Sequence, residues 1–228
     1  MKGNNNFMSS FILKIIACIT MFIDHAGYVV YGKFSWFNYI GRLAFPIFAY
    51  QITEGYQHTK NLKKYILRLF IFALISQIPF ALFHSIISTD FALNVFFTLL
   101  LGLLSICVFE KFSKKWISIP IIILFCIIAE VTNMDYGYWG VLLIFVFYLF
   151  KNNKYWLTLS FLVLLLIRYL PNIIMYNFYY AYILLFICTF LSIIPIVFYN
   201  KKQGRKMKYF LYIFYPAHLL VLYFLSII

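Results

Sequence analysis

The chain has 228 residues, of which 65% are hydrophobic and 11% are charged, and its mean hydropathy is +0.92. Because soluble domains carry about 25% charged residues, this composition excludes an ordinary soluble protein and indicates an integral membrane protein. The formal net charge is +13. Membrane proteins concentrate Lys and Arg in cytoplasmic loops, so this charge does not indicate nucleic-acid binding, and we expect no nucleic-acid partner.

Apolar segments of about 20 residues recur along the chain, and each is long enough to cross the hydrocarbon core as a helix. The segments lack the alternation of barrel strands, and lipid offers no partner for unpaired backbone groups. The sequence therefore predicts an all-α, polytopic membrane helix bundle, with residues 1–228 forming one domain. About nine transmembrane helices are predicted, near 11–32, 37–57, 63–84, 91–110, 116–132, 136–151, 155–170, 178–199 and 208–227.

Basic residues cluster in the loops after the second, fourth, sixth and eighth predicted helices. They are Lys60, Lys63, Lys64, Lys111, Lys114, Lys115, Lys151, Lys154, Lys201, Lys202, Arg205, Lys206 and Lys208. The opposite loops carry little beyond Lys33 and Arg168. The positive-inside rule then places the N-terminus in the cytoplasm and the C-terminus outside. We expect a multi-pass protein of a bacterial cytoplasmic membrane.

The four cysteines are widely spaced in apolar segments, and no CxxC or other metal-type spacing is present. The pattern predicts neither a disulfide framework nor a metal site.

Asp24 and His25 stand side by side in an otherwise apolar run of the first helix. An ionisable group at bilayer depth costs roughly 2.5–3.5 kcal/mol on insertion scales, so such groups usually face a bundle interior and mark a functional pathway. The alternative is a polar pair buried for packing alone. His25 lies roughly 16 Å from the inner boundary, and His218 on the last helix lies about 15 Å from it. The two imidazoles are therefore predicted at one level.

Adjacent helical residues point about 100° apart, so Asp24 and His25 are not expected to pair with each other. Arg42 enters the second predicted helix from outside, and its long side chain reaches toward Asp24. We predict an Asp24–Arg42 pair and leave the partner of His25 open. A neutral imidazole in a site of low dielectric is suited to general-base catalysis near pH 7.

A second polar group gathers at the inner end of the second and third predicted helices. It comprises Glu54, His58, Lys60, Lys63, Lys64 and Arg68. For the lysines, the alternative is an ordinary snorkelling interface. Glu54 and Arg68 lie further inside with opposite charges, which favours either a pair or a polar mouth.

Several motifs follow one another in fixed order over nearly the whole chain. They are Ile23-Asp24-His25-Ala26-Gly27, Gly41-Arg42-Leu43-Ala44-Phe45-Pro46, Glu54-Gly55-Tyr56, Asn61-Leu62-Lys63-Lys64-Tyr65, Ser76-Gln77-Ile78-Pro79-Phe80, Asn94-Val95-Phe96-Phe97-Thr98-Leu99, Asp135-Tyr136-Gly137 and Tyr215-Pro216-Ala217-His218. Together they resemble the TraX family. The segments from about 112 to 132 and from 152 to 207 carry little of the resemblance.

The resemblance implies a multi-spanning acyltransferase, because the namesake of the family is associated with N-terminal acetylation of conjugative pilin. The expected co-substrate is acyl-CoA, in particular acetyl-CoA. His25 becomes the expected catalytic residue, with Asp24 and Arg42 supporting it and Asn94 and His218 as further candidates. The acceptor stays open among a peptide amine, a sugar and a lipid-linked group.

The residues are compatible with this chemistry. Lys60, Lys63, Lys64 and Arg68 offer point charges and a guanidinium fork for the phosphates of CoA. His25 would then either deprotonate the acceptor or carry the acyl group, with Asn94 or Tyr215 donating to an oxyanion.

Two other functional classes fit parts of the pattern. A proton-coupled transporter or flippase would use Asp24, His25 and Arg42 at the midplane, although no inverted repeat is recognisable. A non-catalytic scaffold would leave the buried charges without a role. The sequence also leaves open whether the chain forms a homo-oligomer.

Overall fold

A computed structural model describes residues 8–227, apart from the side chain of Lys208. Within these residues the chain forms eleven α-helices and one 3-10 turn, Lys115–Ile117. The helices are α1 Ser10–Tyr31, α2 Trp36–Gly41, α3 Ala44–His58, α4 Leu62–His84, α5 Val95–Lys111, α6 Ser118–Val131, α7 Gly137–Phe150, α8 Lys154–Met175, α9 Tyr180–Leu191, α10 Ile193–Val197 and α11 Lys208–Ser226.

Five segments of the described chain are long and apolar enough to cross a membrane as helices. They are Ser10–Tyr31, Leu62–His84, Lys154–Met175, Tyr180–Val197 and Tyr209–Ser226. Large apolar side chains remain exposed along these helices, for example Ile75 and Ile78 on α4, where lipid would solvate them. The predicted all-α membrane bundle is confirmed, and the chain is a multi-pass membrane protein.

Other predicted spans are shorter than expected. α5 has 17 residues, and α6 and α7 have 14 residues each. At a rise of about 1.5 Å per residue, 14 residues cover about 21 Å, less than a hydrocarbon core of about 30 Å. The total of about nine spans therefore stays a prediction.

Two predicted helices are each broken into two. The helix expected at 37–57 is α2 followed by α3, and the one expected at 178–199 contains α9 and α10. In both cases the break comes a few residues before a proline, Pro46 or Pro195. A proline ring clashes with the carbonyl four residues earlier, so proline is tolerated in the first turn of a helix and disfavoured further inside. Each proline therefore lies in the first turn of a new helix.

The chain folds into two compact units. The first consists of residues 8–51 and 162–227, and the second of residues 52–161. Both boundaries fall inside helices, α3 and α8, so no linker marks them in the sequence. The single domain expected from the sequence stays a prediction.

In the first unit, α1 packs against α2 and α11, and α2 also contacts α9. Gly27 on α1 lets α2 approach closely, since an added Cβ would lie 2.8 Å from Cβ of Phe37. This packing brings polar residues of three helices around the middle of α1.

In the second unit, α5 is the central helix and contacts α4, α6 and α7. Its buried residues cover more than half of the helix circumference, and Phe97, Leu101 and Leu104 on the remaining side are partly exposed. Gly102 makes the closest approach possible, because an added Cβ would lie 2.3 Å from Cδ1 of Ile144.

Candidate functional site

The helix that carries Asp24 and His25 is well defined at both ends. The hydroxyl of Ser9 accepts a hydrogen bond from the backbone N–H of Ile12, and α1 ends at Gly32, which has a positive φ of 62°. Capping of this kind satisfies backbone groups that a helix end leaves unpaired. The rotational positions of Asp24 and His25 about the axis of α1 are therefore fixed within one continuous helix.

Asp24 is buried, and its carboxylate forms the ion pair that the sequence predicted. Nη2 of Arg42 lies 3.2 Å from Oδ1 and 3.3 Å from Oδ2 of Asp24. The Arg42 side chain is 19% exposed and that of Asp24 is 11% exposed. A charge-assisted bond to both carboxylate oxygens in such a setting fixes the position of the carboxylate.

Asn38, which the sequence reasoning missed, completes this cluster. Its Nδ2 donates to both Oδ1 and the backbone carbonyl of Asp24, at 2.9 Å each. Its Oδ1 accepts from the backbone N–H of Ser35 at 2.6 Å, which caps the start of α2. The position of Asn38 four residues before Arg42 was an available signal, because residues at that spacing share a helix face.

Gly41 allows the close approach of α2 to the carboxylate. A Cβ added there would lie 2.3 Å from Cβ of Asp24 and 2.5 Å from its Oδ1. No side chain fits at this position without moving Asp24. In the sequence motif, Gly41 thus leaves room for the Asp24 carboxylate, and Arg42 supplies the opposite charge.

The partner of His25 is His218 on α11. Nδ1 of His25 lies 2.8 Å from Nε2 of His218, across 193 residues of sequence. The ring planes are 16° apart and the centroids are 5.0 Å apart. That separation corresponds to the N···N distance plus the two ring radii, so the hydrogen bond lies nearly in the plane of both rings and the rings are not stacked face to face.

His218 is itself held on its other side. It is 5% exposed, and its Nδ1 lies 2.8 Å from the backbone carbonyl oxygen of Phe214. The Phe214 ring stacks on it with centroids 4.8 Å apart, and the Tyr215 ring lies 5.8 Å away edge-on. These contacts leave His218 little freedom to rotate. The role of Tyr215 as an oxyanion donor stays a prediction.

The inner-end residues belong to the second unit. Glu54 is 6% exposed, and its Oε2 lies 3.4 Å from Nε2 of His58. The guanidinium of Arg68 lies over the ring of Tyr65, and among the described residues it forms no ion pair with Glu54. Of the two alternatives for these residues, the ion pair is therefore wrong, and the polar mouth stays a prediction. The side chain of Arg68 instead follows its own helix to Tyr65, three residues earlier.

Lys60, Lys63 and Lys64 are exposed at the end of α3 and the start of α4. Asn61 caps α4, because its Oδ1 accepts from the backbone N–H of Lys64 at 2.9 Å. The structure thus places the three lysines within one turn of a helix start. Their role in binding phosphates stays a prediction.

Asn94, also in the second unit, is fully buried and caps α5. Its Oδ1 accepts from the backbone N–H of Phe96, and its Nδ2 donates to the carbonyl of Ala73 and to Oε1 of Gln77, at 2.8 Å each. Donation to an oxyanion would require the amide to release one of these bonds. The structure accordingly gives Asn94 a task in holding α4 and α5 together.

Comparisons with known proteins agree with the resemblance seen in the motifs. The family described as TraX protein matches residues 9–226. A probable fimbrial assembly protein, FimC of serogroup H1, from Dichelobacter nodosus is 28% identical over 240 aligned residues that cover 97% of each chain. No solved structure matches the chain.

Proposed function

Because the chain belongs to the TraX family, we propose that it is a membrane-embedded acyltransferase. It would move an acyl group, acetyl in the first instance, from cytosolic acyl-CoA to an amine or hydroxyl acceptor. The observation that carries the proposal is the pair of hydrogen-bonded imidazoles, His25 and His218, inside a helix bundle. Ionisable side chains within a membrane-spanning bundle are energetically unfavourable and usually have a function.

The chemical step needs one base. His25 takes the proton of the acceptor N–H or O–H while the acceptor atom attacks the thioester carbon. The tetrahedral intermediate then expels the CoA sulfur, and His25 returns the proton to it, so charge and protons balance. In the other version, His25 itself attacks the thioester carbon and expels the CoA thiolate. The acceptor atom then attacks the acyl group on His25 and expels the imidazole, and the acceptor proton passes to the thiolate, so atoms and charge again balance.

The neighbouring ion pair supports a neutral imidazole. An unbalanced carboxylate at Asp24 would favour the protonated form of a nearby histidine. Arg42 balances that carboxylate through both of its oxygens. His25 can therefore remain neutral, as both versions of the step require.

The acyl donor carries several negative charges. We propose that Lys60, Lys63, Lys64 and Arg68 bind its phosphates, since ammonium and guanidinium groups are the usual phosphate ligands. We propose that Glu54 and His58 also belong to this site. Their side chains are in contact, with 3.4 Å between Oε2 of Glu54 and Nε2 of His58.

For the acceptor, the relative named as a fimbrial assembly protein favours a peptide amine, such as that of a fimbrial subunit, as the first to test. A sugar or a lipid-linked group is the next choice.

The test is acyl transfer by the purified protein in nanodiscs with radiolabelled acetyl-CoA. We expect CoA release or labelled product in the wild type, loss in His25→Ala, and retention in the matched control His84→Ala. Label that stays on the wild-type protein after denaturation would indicate an acyl-histidine. Absence of CoA binding and turnover, even with cell extract as a source of acceptors, would reject the acyltransferase and favour proton-coupled transport.

A further inference from the structure

We infer that Phe214, His218 and His25 form a directed chain of hydrogen bonds, and that this chain makes Nε2 the unprotonated nitrogen of His25. His218 is then a positioning residue that selects the reacting atom of its partner. The catalytic consequence rests on the proposed function, whereas the assignment of the protons does not.

The chain starts at a carbonyl, which can only accept. The Phe214 carbonyl oxygen lies 2.8 Å from Nδ1 of His218, so Nδ1 carries the proton and donates it. A neutral imidazole has one N–H and one lone pair. Nε2 of a neutral His218 is therefore an acceptor.

The next bond follows from the first. Nε2 of His218 lies 2.8 Å from Nδ1 of His25, in the plane of both rings. An acceptor at this distance requires a donor on the other side, so Nδ1 of His25 carries its proton. The same rule of one N–H per neutral ring leaves the lone pair of His25 on Nε2.

The geometry keeps this order in place. His218 is 5% exposed, lies between His25 and Phe214, and packs its ring against that of Phe214. A flip of the His218 ring would lose both of its bonds, and a buried donor or acceptor left without a partner is unfavourable. The order of donors therefore does not reverse easily.

The chain prepares His25 for the proposed reaction. When Nε2 takes the proton of the acyl acceptor, His25 becomes an imidazolium whose Nδ1–H points at the lone pair of His218. The positive charge of His25 is thus stabilised by a hydrogen bond to the neutral His218 ring. The proton returns from Nε2 to the departing sulfur, and the pair regains its starting state. If His25 carries the acyl group, Nε2 is again the atom that attacks.

The first experiment reads the protons directly by NMR of the full chain in nanodiscs, with both ring nitrogens of histidine labelled with 15N. The protein has four histidines, so the variants His58→Gln and His84→Gln identify the signals of His25 and His218. We expect both His25 and His218 to be neutral and protonated at Nδ1, with a coupling across the N–H···N bond. Protonation of His25 at Nε2, or a cationic pair, would overturn the inference.

Two substitutions of His218 then separate positioning from mere packing. His218→Phe removes the acceptor, so His25 should shift toward the Nε2–H form and turnover should fall by about 10²–10⁴ fold. His218→Gln keeps an acceptor oxygen and should retain the Nδ1–H form with turnover within about tenfold of the wild type. Equal losses in both variants, or an unchanged His25 tautomer in His218→Phe, would overturn the positioning role.

The two readouts keep this inference and the proposed function apart. Turnover with His25 protonated at Nε2 would leave the acyltransferase standing and reject the chain of bonds. The expected tautomers without any turnover would reject the function and leave the chain of bonds standing.

Discussion

Asp24 and His25 are consecutive residues of α1, yet Asp24 is bonded to α2 and His25 to α11. Successive helical side chains point about 100° apart, so one turn of α1 serves two partners. Each partner has its own chemistry, since one neutralises a charge and the other orders protons. Variants on α2 and on α11 should therefore have separable effects.

Removing Arg42 should destabilise the protein more than removing the charge of Asp24. In Arg42→Ala the carboxylate keeps Asn38 but loses its counter-charge, at a cost of about 2–3 kcal/mol for a pair that is only partly exposed. Asp24→Asn takes the counter-charge from the Arg42 guanidinium instead, but that side chain is more exposed than Asp24 and keeps its bond to the Asn38 carbonyl, so this variant should cost less. Thermal unfolding in detergent measures both, with the exposed Lys33→Ala as control; equal midpoints for Arg42→Ala and the control would contradict the expectation.

Arg42→Lys should restore little of the stability that Arg42→Ala loses. Nε of Arg42 donates to the carbonyl of Asn38 at 3.1 Å while Nη2 binds Asp24. Lysine has one nitrogen and cannot reach both acceptors in this fork geometry. We expect Arg42→Lys to recover less than half of the unfolding free energy lost in Arg42→Ala, and full recovery would show that charge alone matters.

Gly41→Ala should separate α1 from α2. The added methyl would meet Asp24, and overpacking of this kind typically costs about 1–3 kcal/mol. Gly32→Ala is the matched control, since an added Cβ meets nothing within 4 Å there and strains only a backbone at φ 62°. The midpoint of thermal unfolding should be lower in Gly41→Ala than in Gly32→Ala. The reverse order would mean that α2 can move to accommodate the methyl group without strain.

The sequence predicted the Asp24–Arg42 pair because depth and charge can both be read from a helical segment. It missed the break between these residues and the rest of the second helix, although Pro46 carried the signal. The sequence predicted one continuous helix over 37–57, whereas Pro46 lies in the first turn of α3. The same reasoning applies to Pro195 and the end of α9.

Asn94→Ala should lower stability, and it should lower turnover only through the folded fraction. It removes the cap of α5 and two bonds to α4, which together are expected to cost about 2–3 kcal/mol. Asn94→Ser keeps a cap acceptor and should restore part of the loss. Thermal unfolding gives the first quantity and turnover per folded molecule the second; a fall in the latter with Asn94→Ser fully folded would support an oxyanion role instead.

Charge removal at the start of α4 should weaken binding of acetyl-CoA. The double variant Lys63→Gln, Lys64→Gln loses two phosphate ligands. We expect the Kd for acetyl-CoA to rise about tenfold, which corresponds to a loss of about 1.4 kcal/mol in binding free energy. The effect should shrink as salt rises, because exposed charges are screened. Calorimetric titration measures it, with Lys201→Gln, Lys202→Gln as a control that removes the same net charge; equal losses in both would point to net charge and not to a site.

The contact between His25 and His218 could not be predicted from the sequence. Depth placed both imidazoles at one level, but the rotation of α11 about its own axis and its choice of neighbour depend on packing of the whole unit. The division into two units was equally hidden, since both boundaries lie within helices that read as continuous apolar runs. The role of Asn94 was hidden for a similar reason, because its partners lie on another helix.

The spacing of the two pairs along the chain has a consequence for membrane insertion. Arg42 follows Asp24 by 18 residues, whereas His218 follows His25 by 193. During synthesis Asp24 can pair with Arg42 soon after α1 is made. His25 can pair with His218 only after the other helices have been synthesised. An insertion intermediate therefore has a paired Asp24 carboxylate and an incomplete histidine pair. Such a chain can enter the membrane early and become competent for chemistry only when α11 arrives.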